Sequence, residues 1–502
     1  MNYIIILPII FPLIAAVVIS LFGNKEKTRN ILVGSSVILN TIFVIYLAAN
    51  FRETSFHFIK VNEFLDIYFK VDKLSVFFSL LASVLWVFTS IYAMEYMKHE
   101  KREKQFFTYF ILTFGVTLGI AFAGNLLTLY LFYEVLTLAT FPLVIHSGSK
   151  EALISGKKYL IYSFLGAAVV LMGMFILFSF TNDLTFIPGG ILNGENTKYH
   201  FLIYVLMFVG FGVKAALVPF HSWLPEAMVA PTPVSSLLHA VAVVKSGIFA
   251  IIRVTYYIFG AEAVRNTGAN KYLIVLVIIS ILMGSFLALH QENLKKRLAY
   301  STISQLGYIL LGILLLNKNA FTGSMMHLLN HAVIKITLFF CVGEIMYTTK
   351  KTKISEINGI GKSMPITMWC FTISTISLIG IPPTNGFISK WLLAEGALYE
   401  GKAAFPAILL LSAMLTALYL LPITTVAFFK KESSGKMTMV MSTDNQEDNK
   451  KEMITKHNKS KYEAPLKMLI PIICITFITI ILGLFPNFIL DFLRIMAAEL
   501  MI

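Results

Sequence analysis

The sequence predicts an all-α polytopic membrane protein with about fourteen transmembrane helices, including two inverted five-helix repeats that each contain a broken helix. Three observations predict this fold. Hydrophobic residues make up 57% of the 502 residues and charged residues only 14%, against roughly 25% charged residues in an average soluble domain. The apolar residues are grouped in runs that are long enough to cross a bilayer. Two of these runs carry prolines beside a lysine.

Fourteen apolar runs are long enough for a transmembrane helix, which needs roughly 17 to 25 residues. Their limits are 3–22, 30–50, 73–93, 107–123, 126–146, 158–180, 201–221, 232–257, 272–290, 299–316, 321–347, 366–395, 404–428 and 466–490. No basic segment precedes the first run, so we predict a retained helix there rather than a cleaved signal peptide.

The basic residues are distributed unevenly over the loops between these runs. With the N-terminus outside, the cytoplasmic loops hold 26 lysines and arginines and the outer loops hold 10. This is the positive-inside pattern, and it predicts a multi-pass protein of the inner (cytoplasmic) membrane whose 430–467 loop is cytoplasmic. Topology also accounts for the net charge of +14, so no nucleic-acid partner is predicted.

Two segments between the runs differ from them in composition. The stretch 51–72 mixes aromatic and polar residues, which indicates an external hairpin or an interfacial segment. The stretch 429–465 is polar with mixed charge, as in a flexible cytoplasmic linker. Cys341, Cys370 and Cys474 lie singly in apolar runs, so we interpret them as packing residues and predict no disulfide or iron–sulfur site.

Ionisable side chains lie inside the predicted spans, where a charge at mid-bilayer costs at least about 2.5–3.5 kcal/mol. We predict that these groups meet one another or water and form a proton path. The predicted path residues are Glu134, Lys214, His239, Lys245, His327, His331, Lys335 and Lys390, and Arg253 is a ninth ionisable residue within a span. Four of them have a structural alternative: snorkelling to the interface for Arg253, binding of helix carbonyls for Lys335, core packing for His239, and pairing with a lysine for Glu134.

Prolines set Lys214 and Lys390 apart from the other groups. Pro219 follows Lys214, and Pro382 and Pro383 precede Lys390. Proline removes a backbone hydrogen bond, and free carbonyls inside a membrane are tolerated only where protein or water satisfies them. The breaks fall in the seventh and twelfth spans, five apart, and a repeat of odd length is inverted in the membrane. Matched broken helices in inverted repeats indicate an ion site.

This repeat argument divides the chain into five segments. The first three helices and the external segment precede the two repeats, and a linker and a C-terminal helix follow them. The predicted limits are 1–106, 107–257, 272–428, 429–465 and 466–502.

The histidines suggest how a proton would move sideways between the two breaks. His327, His331 and Lys335 are spaced four residues apart and share one helix face, whereas His239 and Lys245 are six apart and point to different sides. This pattern suits links in a lateral relay. No metal-ligand spacing, nucleotide-binding loop or nucleophile motif appears, so no metal or cofactor is predicted.

Four segments carry a resemblance to a known family. They are the run from Lys214 to Gly247, LKKRLAYSTISQLGY (294–308), MHLLNHAVIKITLFF (326–340) and GIPPTNGFISK (380–390). In this order they resemble the antiporter-like subunits shared by complex I, Mrp-type cation/proton antiporters and membrane-bound hydrogenases. The resemblance covers about residues 70–430, and which of these complexes applies is left open.

The resemblance implies proton translocation by a non-redox subunit that works with other membrane subunits, on protons or on protons exchanged for Na+. It implies that Glu134 and Lys214 belong to one half-channel and that Lys245 or His239 is the connecting residue. It further implies that His327, His331 and Lys335 lie on the eleventh helix and that Lys390 lies near the exit.

Two other hypotheses remain open at this stage. The first is a stand-alone secondary transporter for a small anionic substrate, with a pocket near Pro219 and Pro383 lined by the lysines. The second is an assembly scaffold in which the buried charges carry no ions.

Overall fold

The computed structural model describes residues 2–60, 66–192, 198–430 and 463–501. Most of the predicted linker 429–465 therefore lies outside the described residues. The strands are β1 (Thr54–Lys60) and β2 (Asp66–Val71). The helices are α1 (Leu7–Phe22), α2 (Glu26–Ala49), α3 (Lys73–Tyr96), α4 (Glu103–Ala121), α5 (Leu126–Val144), α6 (Lys150–Thr181), α7 (Lys198–Lys214), α8 (Trp223–Glu226), α9 (Thr232–Ala240), α10 (Val243–Arg253), α11 (Ala261–Thr267), α12 (Ala269–Leu289), α13 (Leu294–Leu314), α14 (Lys318–Thr349), α15 (Ile360–Ser363), α16 (Pro365–Ile379), α17 (Asn385–Tyr399), α18 (Ala404–Phe429), α19 (Leu466–Leu484) and α20 (Asn487–Leu500).

Eleven helical segments of the described chain are long and apolar enough to cross a membrane. This confirms the prediction of a mostly helical, polytopic membrane protein. Helices α7, α13, α16 and α17 fall on other predicted spans but are shorter or more polar. Helix α13 has 21 residues and contains serine, threonine and glutamine in its first half, whereas α7, α16 and α17 have only 15 to 17 residues.

The segment between α2 and α3 is an antiparallel hairpin, so the chain is not purely α-helical. Strand β2 is tied to the turn between α4 and α5: Lys70 N–H donates to the Phe122 carbonyl at 2.7 Å, and Gly124 N–H donates to the Tyr68 carbonyl at 3.0 Å. Asn125 then caps α5 by accepting from Thr128 N–H at 2.8 Å. The hairpin predicted within 51–72 is confirmed.

The centre of the molecule is formed by α9, α10 and α14. The span that contains α9 and α10 is entirely buried, and α14 is almost entirely buried. Helix α14 packs against α3, α9, α13, α16, α17, α19 and α20. The outer helices instead carry exposed apolar residues, such as Leu165 and Phe175 on α6 and Leu410 and Met414 on α18. The helices that carry the buried lysines and histidines are thus surrounded by helices with exposed apolar faces, as a bilayer requires.

Both predicted breaks are present. Helix α7 ends at Lys214, and the chain turns past Pro219 before α8. Helix α16 ends at Ile379, and α17 begins at Asn385, after Pro382 and Pro383. With 15 residues each, α16 and α17 are about 22 Å long, shorter than a hydrocarbon core of about 30 Å. Neither helix alone would therefore reach across such a core.

Two further interruptions were not predicted. The predicted span 232–257 is broken between Ala240 and Val243, where α9 ends and α10 begins, and it finishes in a π-helical turn. The predicted final span 466–490 stops at Leu484, because Pro486 separates α19 from α20. Helix α20 buries apolar residues on one face and carries exposed Asp491 and Arg494, so the C-terminal segment is two helices rather than one.

Arg253 does not snorkel, contrary to one of the two interpretations given above. It is completely buried and forms an ion pair with Asp72, the residue that caps α3. Its second nitrogen donates to the same carboxylate at 3.0 Å, and the guanidinium lies 4.4 Å from the Tyr257 ring centre. Burial alone would raise the pKa of the Asp72 carboxyl, but the Arg253 guanidinium outweighs burial and holds that pKa below its ordinary value. This pair fixes α10 to α3.

Candidate functional site

Lys214 is the last residue of α7 and is completely buried. Its ammonium donates to the Tyr133 carbonyl of α5 and lies 3.3 Å from the centre of the Tyr133 ring. Helix α10 comes close to this point because Gly247 has no side chain: a Cβ there would lie 2.7 Å from the Ala215 nitrogen. Lys214 is therefore held at the junction of α5, α7 and α10.

Glu134, the neighbour of Tyr133, is the carboxylate that acts electrostatically on Lys214. The two side chains do not form an ion pair in this structure, and one Glu134 oxygen is buried without a hydrogen-bond partner. Glu134 lies at the rim of the bundle, half-buried between the exposed side chains of Leu131 and Val135. Charge attraction without a direct contact leaves Lys214 free to change partners.

Lys390 occupies the second break in a different way. Its ammonium donates to the carbonyls of Leu378 at 2.7 Å and Ile379 at 2.8 Å, the last two residues of α16. These carbonyls have no partner within the helix because α16 stops there. The lysine also lies 5.2 Å from the centre of the Tyr308 ring on α13. A cation at the C-terminus of a helix is stabilised by the helix dipole.

Amide side chains complete the second break. Asn385, at the start of α17, donates to the side-chain oxygen of Asn330 on α14 at 3.1 Å, and Asn330 donates to the Asn385 carbonyl at 2.7 Å. Ser377 of α16 also hydrogen-bonds to Asn385. Gly386 is required here, since a Cβ at that position would lie 1.8 Å from the Ser377 carbonyl oxygen. Side-chain and backbone hydrogen bonds thus join α14, α16 and α17 at this break.

Side chains of α10, α13, α14 and α17 form a row that leads from Lys245, on the helix that packs against α7, to Lys390 at the second break. Lys245 on α10 contacts His331 Nδ1 at 2.5 Å, and the rings of His331 and His327 are stacked 6.1 Å apart. His327 contacts Ser389 at 2.9 Å, and its ring stacks 5.4 Å from Tyr308, which in turn lies under Lys390. We call Lys245, His331, His327, Tyr308 and Lys390 the central row.

Lys335 and His239 lie beside the central row. Lys335 donates to the Leu298 carbonyl at 3.1 Å and to the Ser301 hydroxyl on α13. His239 is completely buried, and neither ring nitrogen has a hydrogen-bond partner in the structure. Lys335 and Lys245 both act electrostatically on the His239 ring. Lys245 and His239 were the two candidates for the connecting position. Lys245 forms a hydrogen bond with His331 of α14, whereas His239 does not.

The central row and its neighbours are rich in bases. Lys245, Lys335, His327 and His331 are buried, and within the described residues none of them forms an ion pair with a carboxylate. A neutral imidazole both accepts and donates a hydrogen bond, and a neutral amine accepts one proton. Once one of these buried bases binds a proton, its positive charge repels a second proton from the neighbouring bases. Such a set can therefore pass a single proton along but does not accumulate protons.

Several residues of the site were missed at the sequence level. Tyr133 and Tyr308, whose rings lie next to the two break lysines, are indistinguishable from packing residues in an apolar run. Gln305, which lies 3.1 Å from His327 Nε2, stands in the quoted segment 294–308 but was not selected. Lys295 was counted as a loop residue, yet it is buried on α13 and donates to the Ala230 carbonyl at 2.7 Å.

Potential metal ligands are dispersed in the part of the chain that the structure describes. No three histidine, cysteine, aspartate or glutamate side chains there are close enough together to hold a metal ion. The three cysteines are free thiols.

Comparison with known proteins gives a consistent result. Residues 123–416 match the family described as NADH:quinone oxidoreductase/Mrp antiporter, TM, and residues 58–107 match the N-terminal family of complex I chain 5. The chain is 32% identical over 403 residues to NADH-quinone oxidoreductase subunit N of Desulforudis audaxviator, covering 79% of this chain and 77% of that protein.

Two further relatives extend the similarity over nearly the whole chain. A Na(+)/H(+) antiporter subunit of Alkalihalophilus pseudofirmus is 27% identical over 491 residues, covering 96% of this chain and 94% of that protein. The fold is similar to a chain in the structure of the Mrp complex from Dietzia sp. DQ12-45-1b, with a TM-score of 0.87 and 21% identity, covering 100% of this chain and 98% of the other.

Proposed function

The chain belongs to the NADH:quinone oxidoreductase/Mrp antiporter family, and we propose that it is a proton-translocating, or cation/proton-antiporting, membrane subunit of a multisubunit complex. The observation that carries the proposal is the central row, which leads from α10, packed against the end of α7 at the first break, to Lys390 at the second. Quinone oxidoreductase and Na(+)/H(+) antiporter subunits are both among its relatives, and in either setting the ion moves through a chain without redox groups.

In this proposal Glu134 and Lys214 form the first half-channel, and Lys390 is the terminal residue of the second. Lys245 receives the proton from the side of Lys214 and passes it to His331. The contact of 2.5 Å between Lys245 and His331 supports this step. His327, Tyr308 and Ser389 then lead to Lys390. His239 and Lys335 contribute positive charge or water-binding sites beside the row and set how readily it accepts a proton.

The proposal includes a finer description of the fold. The eleven long apolar segments, together with α7, α13 and the pair α16–α17, make fourteen spans in the inner membrane, with the N-terminus and the hairpin outside. Spans four to eight, within 107–257, and nine to thirteen, within 272–428, form the two inverted repeats. The breaks after α7 and between α16 and α17 support this pairing, because each falls in the fourth span of its repeat.

A test starts from the native assembly. The complex is purified in mild detergent, its subunits are identified by mass spectrometry, and it is reconstituted in vesicles that contain a pH-sensitive dye. Quinone-reductase or hydrogenase subunits would identify an electron-driven pump, and small membrane subunits without redox centres would identify an antiporter of the Mrp type. Uptake of an anion by this chain reconstituted alone would contradict the proposal and favour the stand-alone transporter.

The Lys245→Ala variant tests the path itself. Because Lys245 lies on α10, the helix of the central row that packs against α7, we expect proton transfer to fall to the background of empty vesicles while the complex still assembles. The matched control is Lys467→Ala, which removes an exposed lysine at the start of α19. Full transfer by Lys245→Ala would remove the central row from the mechanism and favour the scaffold hypothesis.

A further inference from the structure

A separate group of acids lies at the N-terminus of α16, away from the central row. Glu344, on α14, is completely buried, and its Oε2 lies 2.7 Å from the Thr367 hydroxyl oxygen. The same hydroxyl oxygen lies 2.8 Å from Oε2 of Glu463, which stands shortly before the start of α19. The other oxygen of Glu463 accepts from the Ile366 backbone N–H at 2.5 Å. Two carboxyl groups therefore meet at one hydroxyl.

Counting hydrogens shows that this arrangement needs an additional proton. A threonine hydroxyl has one hydrogen to donate, and an ionised carboxylate has none. Thr367 can satisfy one carboxylate, so its close contact with the second requires that one carboxyl group be protonated. Otherwise two acceptor oxygens would face each other inside the protein, which is a costly arrangement.

The proton belongs on Glu344 rather than on Glu463. Glu463 accepts from Ile366 N–H at the first turn of α16, where the helix dipole stabilises a negative charge. The Oε1 of Glu344 is buried without a hydrogen-bond partner, and among the described residues no lysine, arginine or histidine forms an ion pair with it. A buried carboxyl group without a cation is far more stable when neutral.

We propose that Glu344 is a proton-binding site, in which its carboxylic acid donates to Thr367 and the Thr367 hydroxyl donates to Glu463. The ionisable groups that face it are Tyr92 from α3 and Cys370 from α16, together with Glu463 and, on its own helix, Cys341. None of these groups carries a positive charge that would hold Glu344 ionised.

The site is distinct from the central row. Glu344 is nine residues after Lys335 on α14, which is about half a turn away around the helix. Lys335 faces α13, whereas Glu344 faces α16 and the residue before α19. The proton on Glu344 follows from the local hydrogen bonds alone, so it stands whether or not the central row carries ions.

Proton occupancy of Glu344 is linked to α16. The C-terminal carbonyls of α16 bind Lys390, and its N-terminal residues bind Glu463 and Glu344. Loss of the Glu344 proton would leave two carboxylates competing for one hydroxyl and would weaken the contact that holds Glu463 on α16.

Infrared difference spectroscopy on the purified complex tests the site. We expect a carbonyl-stretching band of a protonated carboxyl group at neutral pH that is lost in Glu344→Gln. The glutamine amide can still donate to Thr367, so this variant should fold. A band that is present in both proteins would overturn the assignment. Disappearance of the band when Na+ replaces choline would also overturn it and indicate a cation site.

A second variant keeps the test decisive if Glu344→Gln does not assemble. Thr367→Val removes the acceptor of the Glu344 proton, and we expect the band to remain but to shift to higher frequency. An unshifted band would show that the protonated group does not bind Thr367 and would contradict the proposal. The control is Glu151→Gln, a change of an exposed glutamate in the first turn of α6, which should leave the band unchanged.

Discussion

The two helix breaks each place a lysine beside a tyrosine ring, but only the second lysine satisfies the backbone carbonyls at its break. At the first break, the freed backbone groups are satisfied by other residues: the Trp223 indole donates to the Val213 carbonyl at 2.9 Å, and Val218 N–H donates to Ser280 at 3.0 Å. At the second break, Lys390 itself satisfies two helix-end carbonyls. Lys214 is therefore dispensable for the local fold, whereas Lys390 is part of it.

This comparison teaches that a buried lysine can be available for proton exchange only to the extent that the backbone does not need it. The acceptor of Lys214, the Tyr133 carbonyl, lies in the middle of α5 and already accepts a helical N–H. The acceptors of Lys390 are the last carbonyls of α16 and have no other donor among the described residues. When Lys390 gives up its proton, the neutral amine keeps two N–H groups but loses the positive charge that the helix end stabilises. We therefore expect its contact with the end of α16 to weaken, which would couple proton transfer there to helix movement.

The largest effect is expected for Lys390→Ala. The change leaves the Leu378 and Ile379 carbonyls unpaired, which costs roughly 1–3 kcal/mol for each buried group. We expect a clear fall in the thermal unfolding temperature of the complex in detergent and proton transfer at the background level. Lys467→Ala serves as the control. Unchanged stability would mean that water replaces the ammonium and would remove the distinction between the two breaks.

A smaller effect on stability is expected for Lys214→Ala. The variant loses a cation–π contact, worth roughly 0.5–2 kcal/mol, but leaves no carbonyl of α5 without a partner. Proton transfer in vesicles should fall to background while the unfolding temperature drops less than in Lys390→Ala. The reverse order of the two unfolding temperatures would contradict the comparison.

The smallest effect is expected for Glu134→Gln. Glu134 is half-buried at the rim and contacts no lysine directly, so the unfolding free energy should change by no more than about 0.5 kcal/mol. Proton transfer should be slower than in the wild type but faster than in Lys214→Ala, because the amide removes only the attraction on Lys214. Glu151→Gln is the matched control. A complete loss of transfer would show that Glu134 itself carries the proton.

Much of the fold could be predicted because it depends on local chemistry. Pro219, Pro382 and Pro383 marked both main breaks, since proline cannot donate a backbone hydrogen bond. The third break, between Ala240 and Val243, had no such signal, because neither proline nor glycine occurs there. It depends on how α9 and α10 pack against neighbours that are distant in the sequence.

The parts of the site that could not be predicted depend on long-range contacts. The interpretation of Arg253 required knowing that Asp72, which precedes it by 181 residues, lies against it. Glu344 was overlooked because it is a single acid near the end of an apolar run. Its partners are distant in the sequence: Thr367 lies on α16, and Glu463 lies shortly before α19. In contrast, six of the eight residues predicted for the path lie in or beside the central row. Lys214 and Glu134 lie at the first break, and the roles of all eight stay predictions.

The rim position of Glu134 makes its surroundings depend on the molecule that lies beside the bundle. The apolar side chains of Leu131 and Val135 are exposed, so in a membrane they would face a neighbouring subunit or lipid chains. The local dielectric constant at Glu134 therefore depends both on this chain and on the molecule that lies against it. Exchanging the neighbour would then retune the first half-channel without altering a single residue of this sequence.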